Sequence, residues 1–173
     1  MKKQFLLLGI LTLSLFIIIP ACNDDDDEKT KTEILTSGSW ITTAATVDPG
    51  IDLTEYGQGV VTDLYNNTLF YPECAKDDYT TFSEDGTYET NIAGTPCDDT
   101  DTNESGTWAF NEDETKIYVD KDTEDEILAN IESFSDNKIV FSYTVEFSME
   151  KKCFNSPDGS NSTHVLTETM EKQ

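Results

Sequence analysis

Arginine is absent from this 173-residue chain, histidine occurs once, at His164, and 11 lysines face 35 acidic residues. The formal charge of −24 excludes the basic footprint that nucleic-acid binding needs. Without arginine there are no guanidinium forks to recognise phosphate. A single histidine rules out chemistry built on a histidine pair, and no Gly-x-Ser-x-Gly nucleophile elbow is present. Carboxylate pairs are plentiful, but 35 acids produce them by chance, so they do not point to a glycosidase. Cysteine is also scarce. Cys22, Cys74, Cys97 and Cys153 include no close-spaced pair and lack zinc-ligand spacing. The expectation is a non-enzyme with no cofactor and no resident metal. Apolar residues make up 36% of the chain, enough for one modest core.

The long apolar run is confined to the N-terminus. Lys2 and Lys3 precede a 15-residue stretch, Phe5 to Ile19, interrupted only by Gly9, Thr12 and Ser14. That is short for a membrane-spanning helix, which needs about 20 residues, and it fits the core of a secretory signal. The run ends in Ile19-Pro20-Ala21-Cys22, which resembles a bacterial lipobox, although Pro20 is unusual there. The resemblance implies cleavage before Cys22 and acylation of that cysteine, since several acyl chains together anchor stably where one does not. The expected mature chain, 22–173, keeps 9 lysines against 35 acids, a formal −26. Asn23 to Glu28 then form an acidic run that stays solvated by self-repulsion. It resembles the surface-export signal of Bacteroidota lipoproteins and implies an outward-facing outer-membrane location, with the periplasmic leaflet as the alternative. The expected organisation is a signal peptide over 1–21, a lipidated acidic tether over 22–34 and one folded domain over 35–173.

From Ser39 onward, short alternating runs are separated by polar turns, the pattern of an antiparallel sheet. Ile139, Phe141, Tyr143, Val145, Phe147 and Met149 alternate with polar or smaller residues, so a strand places all six on one face. Asp85-Gly86 marks a hairpin turn. About eight strands are predicted, beginning with Ser39–Val47 and ending with Thr163–Met170. Eight is the number at which a closed barrel fills itself or holds one small ligand. Val60, Val61, Leu64 and Tyr65 recur at helical spacing, which predicts a short helix between strands 1 and 2. The fold class is therefore all-β: an antiparallel up-and-down barrel.

Gly38-Ser39-Trp40 at the start of the first strand resembles the Gly-x-Trp motif of lipocalins. It is followed by Cys74-Ala75-Lys76-Asp77, by Asp85-Gly86-Thr87-Tyr88 and by Gly106-Thr107-Trp108. In that order these motifs resemble the lipocalin-like domain of Bacteroidota lipoproteins, over residues 35 to 150. The resemblance implies a calyx-like barrel with Trp40 plugging one end. It also favours a disulfide between Cys74 and Cys97, which flank one hairpin. Cys74–Cys153 is the rival pairing, and closing the shorter loop would stabilise by roughly 3 kcal/mol.

Trp40, Phe82, Tyr88, Trp108, Phe110, Phe141, Tyr143 and Phe147 are the candidate cavity lining. The same rings serve equally well as a packed core. Asp99, Asp101 and Asn103 have alternate spacing reminiscent of calcium loops, but Glu104 and Phe110 stand where such a loop needs Gly and Glu. An acidic surface loop is the simpler expectation. The expected role is binding of a small apolar or amphipathic ligand, with the membrane engaged through Cys22 and no nucleic acid. The alternative is a surface accessory subunit that holds a partner protein or glycan.

Overall fold

Thr30 and Glu33 cap each other at the start of the first helix. The Thr30 hydroxyl accepts from the Glu33 amide at 3.1 Å, and the Glu33 carboxylate accepts from the Thr30 amide at 2.7 Å. This capping box satisfies two otherwise orphaned N–H groups and starts the six-residue helix α1, Lys31–Thr36. The computed structural model describes residues 28–94, 96–147 and 162–173. Cys22, Met149 and Cys153 lie outside them, as do the expected signal peptide and most of the tether. Helix α1 occupies the end of the stretch read as tether, and its Leu35 is fully buried.

Nine strands follow among the described residues: β1 Ser39–Asp52, β2 Val60–Asp63, β3 Tyr79–Phe82, β4 Thr87–Asn91, β5 Glu104–Phe110, β6 Lys116–Val119, β7 Ile127–Ser135, β8 Lys138–Phe147 and β9 Ser162–Lys172. All pairings are antiparallel and run in order from β3 to β9. β1 pairs with both β3 and β9, so eight strands close into a barrel. Closure removes the free edges of the sheet. The ninth strand, β2, is a partner for the far half of β1 alone, with Ile51 opposite Val61 and Asp52 opposite Val60.

The helical spacing of Val60 to Tyr65 is thus not realised as a helix, because Val60–Asp63 is strand β2. Gly57 and Gly59 adopt φ of 77° and 71°, a left-handed geometry that reverses the chain and returns it alongside β1. The short helical piece before β2 is instead a 3-10 turn at Thr54–Tyr56, and a second 3-10 turn lies at Glu73–Ala75.

The pairing of β1 slips between Thr42 and Ala44, as an inserted residue requires. Thr42 then faces Met170 and Ala45 faces Glu168, so both sides of the bulge keep an inward row. Beyond Trp40, β1 leaves β3 for β2, and the connection between β2 and β3 fills the gap. Two apolar clusters result. One surrounds Leu35, Trp40, Phe82, Trp108, Ile117 and Phe141, and the other joins Ala45, Val47, Ile51, Leu53 and Leu64.

Candidate ligand-binding cavity

One end of the barrel is shut. Trp40 is fully buried there, and its indole N–H donates to the Leu35 carbonyl at 2.8 Å, which ties the plug to α1. The Lys172 ammonium sits 5.8 Å from the Trp40 ring centroid, within cation–π range. Trp108 meets Phe82 edge-on at 5.8 Å and Phe110 at 5.4 Å, and Phe110 meets Phe134 at 6.1 Å. The Trp108 indole N–H also donates to the carbonyls of Ser83 and Thr87, which locks the β3–β4 turn.

Above this plug is a cavity of about 440 Å³, within the ordinary range for small-molecule sites. Trp40, Phe82, Ile117 and Phe141 are among its apolar surfaces, and Phe70 and Tyr71 enter from the β2–β3 connection. A second, more polar space of about 400 Å³ adjoins it and shares Ala75, Asp78, Thr90 and Glu104. These four residues lie where the inner cavity gives onto a vestibule. The Cys74–Cys97 disulfide, with Cα atoms 5.3 Å apart, joins the 3-10 turn before β3 to the β4–β5 loop, the two segments that frame the vestibule.

A model of the lipocalin-like domain family matches residues 36–141, more than half of the chain. The chain belongs to that lipocalin-like domain family. Solved structures similar to this lipocalin-like barrel include bovine odorant-binding protein complexed with its natural ligand, at 16% identity, covering 84% of this chain and 75% of that one with a TM-score of 0.42. The complex of the same bovine protein with undecanal gives 17%, 84%, 75% and 0.42. Its complex with a selenium-containing odorant gives 15%, 85%, 75% and 0.43. No curated protein matches the chain in sequence at a significant level.

The lipocalin-like calyx brings together Trp40, Phe82, Tyr88, Phe141 and Tyr143 from the lining expected in the sequence. Trp108 and Phe110 are elsewhere, in the aromatic plug. They lie in the last turn-ward residues of β5, where Trp108 packs on Phe82 and Phe110 on Phe134. The side chain of Phe147 lies outside the described residues. Tyr88 donates to Asp120 at 2.9 Å, and burial together with this bond pushes its hydroxyl up to about 12. Gly106 permits that contact, since a Cβ there would come within 2.0 Å of the Asp120 carboxylate and 2.7 Å of the Tyr88 ring.

Sequence reasoning missed Glu168. It pairs across β9 with Phe141 of β8 and Ala45 of β1, so it shares their inward face and lines the cavity. Burial raises its carboxyl above the usual carboxylate range, because the charged form loses hydration. The Tyr143 hydroxyl donates to its Oε2 at 2.9 Å and partly opposes that rise. Burial and the Glu168 charge both push the Tyr143 hydroxyl up. Burial also raises Tyr71, opposed by its hydrogen bond to Thr42. The signal was present in the sequence: His164, Leu166, Glu168 and Met170 form one period-two row, and a single acid interrupts it.

Of the other sequence candidates, His164, Asp101 and Asn103 have structural partners. His164 is buried near the mouth end, with Nδ1 2.6 Å from the Pro49 carbonyl and Nε2 2.6 Å from the Ser162 hydroxyl. Asp101 accepts from the Asp98 amide. Asn103 accepts from the Ile92 amide and donates to Glu89 and Asn91. These bonds set the β4–β5 loop.

Proposed function

We propose that this chain is a lipid-anchored lipoprotein of the cell envelope whose lipocalin-like barrel binds a small apolar or amphipathic molecule without transforming it. The observation that carries the reading is the cavity of about 440 Å³, built from inward-facing rings and aliphatic groups above an aromatic plug. A barrel meant only to pack would fill that volume with side chains. Anchoring through Cys22 and the outward-facing outer-membrane location rest on the lipobox-like run and the acidic stretch after it.

Native mass spectrometry of the protein purified from its own host tests the binding reading. A defined extra mass lost on denaturation is expected. A bare chain mass under gentle conditions, with no uptake of added apolar probes, overturns it. Cys22→Ala tests the anchor: the variant is expected to leave the membrane fraction, and retention there overturns acylation at that residue.

A second reading has one specific observation behind it. Among the described residues, β2 pairs with β1 alone, and Val60 on it is 66% exposed. An unpaired strand edge is a template for strand addition by a partner. Specific capture of one envelope protein, lost on Val60→Pro, would favour an accessory role.

A further inference from the structure

We propose that the calyx selects amphiphiles carrying an organic ammonium group, seated against the Glu168 carboxylate with the alkyl part on the aromatic floor. The proposal rests on the binding reading above and names its ligand class. Among the described residues, three carboxylic side chains, Asp78, Glu104 and Glu168, line the cavity, and no lysine or histidine does. Lys76, next to the lining residue Ala75, is held 2.7 Å from Glu73 and 5.0 Å over the Tyr65 ring.

Glu168 is the deepest argument. Its strand register places it between Phe141 and Ala45, an environment that disfavours a lone carboxylate. Tyr143 serves Oε2, and no donor among the described residues reaches Oε1. No sealed side-chain polar atom among the described residues lacks a partner, so Oε1 opens into the cavity. An acceptor-only group held this way fits a charged donor, and a hydrogen-bonded ion pair in a dry site discriminates strongly. Tyr71 and Tyr143 also line the cavity, and their faces suit a cation.

The approach has the same sign. Asp78 and Glu104 stand between cavity and vestibule, and Asp101 lines the vestibule. On a chain of formal charge −24, this concentrates cations at the mouth and repels anionic amphiphiles.

The test is isothermal titration of the full chain, stripped of co-purified ligand, with n-octylamine, n-octanol and sodium octanoate at pH 7. The three probes share one alkyl chain and differ in the head. Octylamine is expected to bind tenfold or more tighter than octanol, as a hydrogen bond to a charged group predicts, with octanoate weakest. Glu168→Gln is expected to bring octylamine to the level of octanol. A far-ultraviolet circular dichroism spectrum that matches the parent shows that the variant is folded. Asp136→Asn, at the exposed β7–β8 turn, is the control and should change nothing. Octanol or octanoate binding as tightly as octylamine overturns the ammonium assignment and leaves the calyx reading standing. Preference for octylamine that survives Glu168→Gln overturns the role of Glu168. Failure of all three probes overturns the proposal together with the calyx reading.

Discussion

The two ends of this barrel solve opposite problems with the same strands. At the closed end, Trp40, Phe82, Trp108, Phe110 and Phe134 pack ring against ring, and both indole N–H groups find backbone carbonyls. At the mouth end, β1 parts from β3, a long connection fills the gap, and a disulfide ties that connection to the β4–β5 loop. Dispersion and apolar burial hold the first end. A covalent link, short polar turns and a separate aliphatic cluster around Ile51 and Leu53 hold the second. The ring-on-ring packing is concentrated below the cavity, which leaves the cavity wall free to carry groups that such packing would reject.

The largest expected effect breaks the closed end. Trp108→Ala removes two ring contacts and the lock on the β3–β4 turn, and should cost about 3–5 kcal/mol in denaturant unfolding. Tyr71→Ala at the mouth should cost clearly less, because that ring borders the cavity. Equal losses would mean that the two ends are equally packed. The mouth has its own test. Cys74→Ser with Cys97→Ser opens a loop with a sequence separation of 23, and should cost roughly 3 kcal/mol in the chain-entropy model. Protease cutting of the vestibule segments should increase while the closed end stays protected. Uniform loss of protection would break the division.

Much of this division was legible in the sequence. The alternation of Ile139, Phe141, Tyr143 and Val145 fixed one face of β8, and Asp85-Gly86 marked the β3–β4 hairpin, because strand period and turn chemistry are local. What was not local was not legible. Val60, Val61, Leu64 and Tyr65 have a helical spacing, yet two glycines turn the segment into a hairpin partner for β1. Trp108 and Phe110 alternate as inward rings do, but alternation identifies a face and not a depth along the barrel. Their place in the plug depends on Phe82 and Phe134 arriving from other strands. Glu168 was readable as one acid in an inward row, but 35 acids hid it until the register was known.

Gly106 sharpens the comparison on a smaller scale. Here the cavity wall is tightly fitted, with Asp120 accepting from both the Thr107 amide and the Tyr88 hydroxyl. Gly106→Ala should cost about 1–3 kcal/mol through overpacking. It should also release the Tyr88 hydroxyl from about 12 toward its ordinary value, read by ultraviolet titration of tyrosine. A silent substitution would show that the Asp120 side chain moves freely.

The smallest effects carry the clearest signs, because the acids of the two environments titrate in opposite senses. Asp52, Asp85, Asp98 and Asp113 each accept from the amide and hydroxyl of the threonine two residues on. Those bonds lower their carboxyls below the usual range. Each therefore contributes stability above its unfolded value, about 3.9, and loses it as pH falls through the depressed folded value. Asp85→Asn should lower the melting temperature slightly at pH 7, and the difference should vanish in strong acid. Glu168 is raised by burial. Its contribution is fully present below the unfolded value of about 4.3 and is lost as pH rises through the higher folded value. Glu168→Gln should therefore leave the empty barrel unchanged near pH 4 and raise its melting temperature progressively toward pH 8. A variant less stable at pH 8 would mean that the carboxylate is compensated inside the empty protein. A more stable one means that the barrel keeps, in its own apolar interior, a charge whose partner must come from outside.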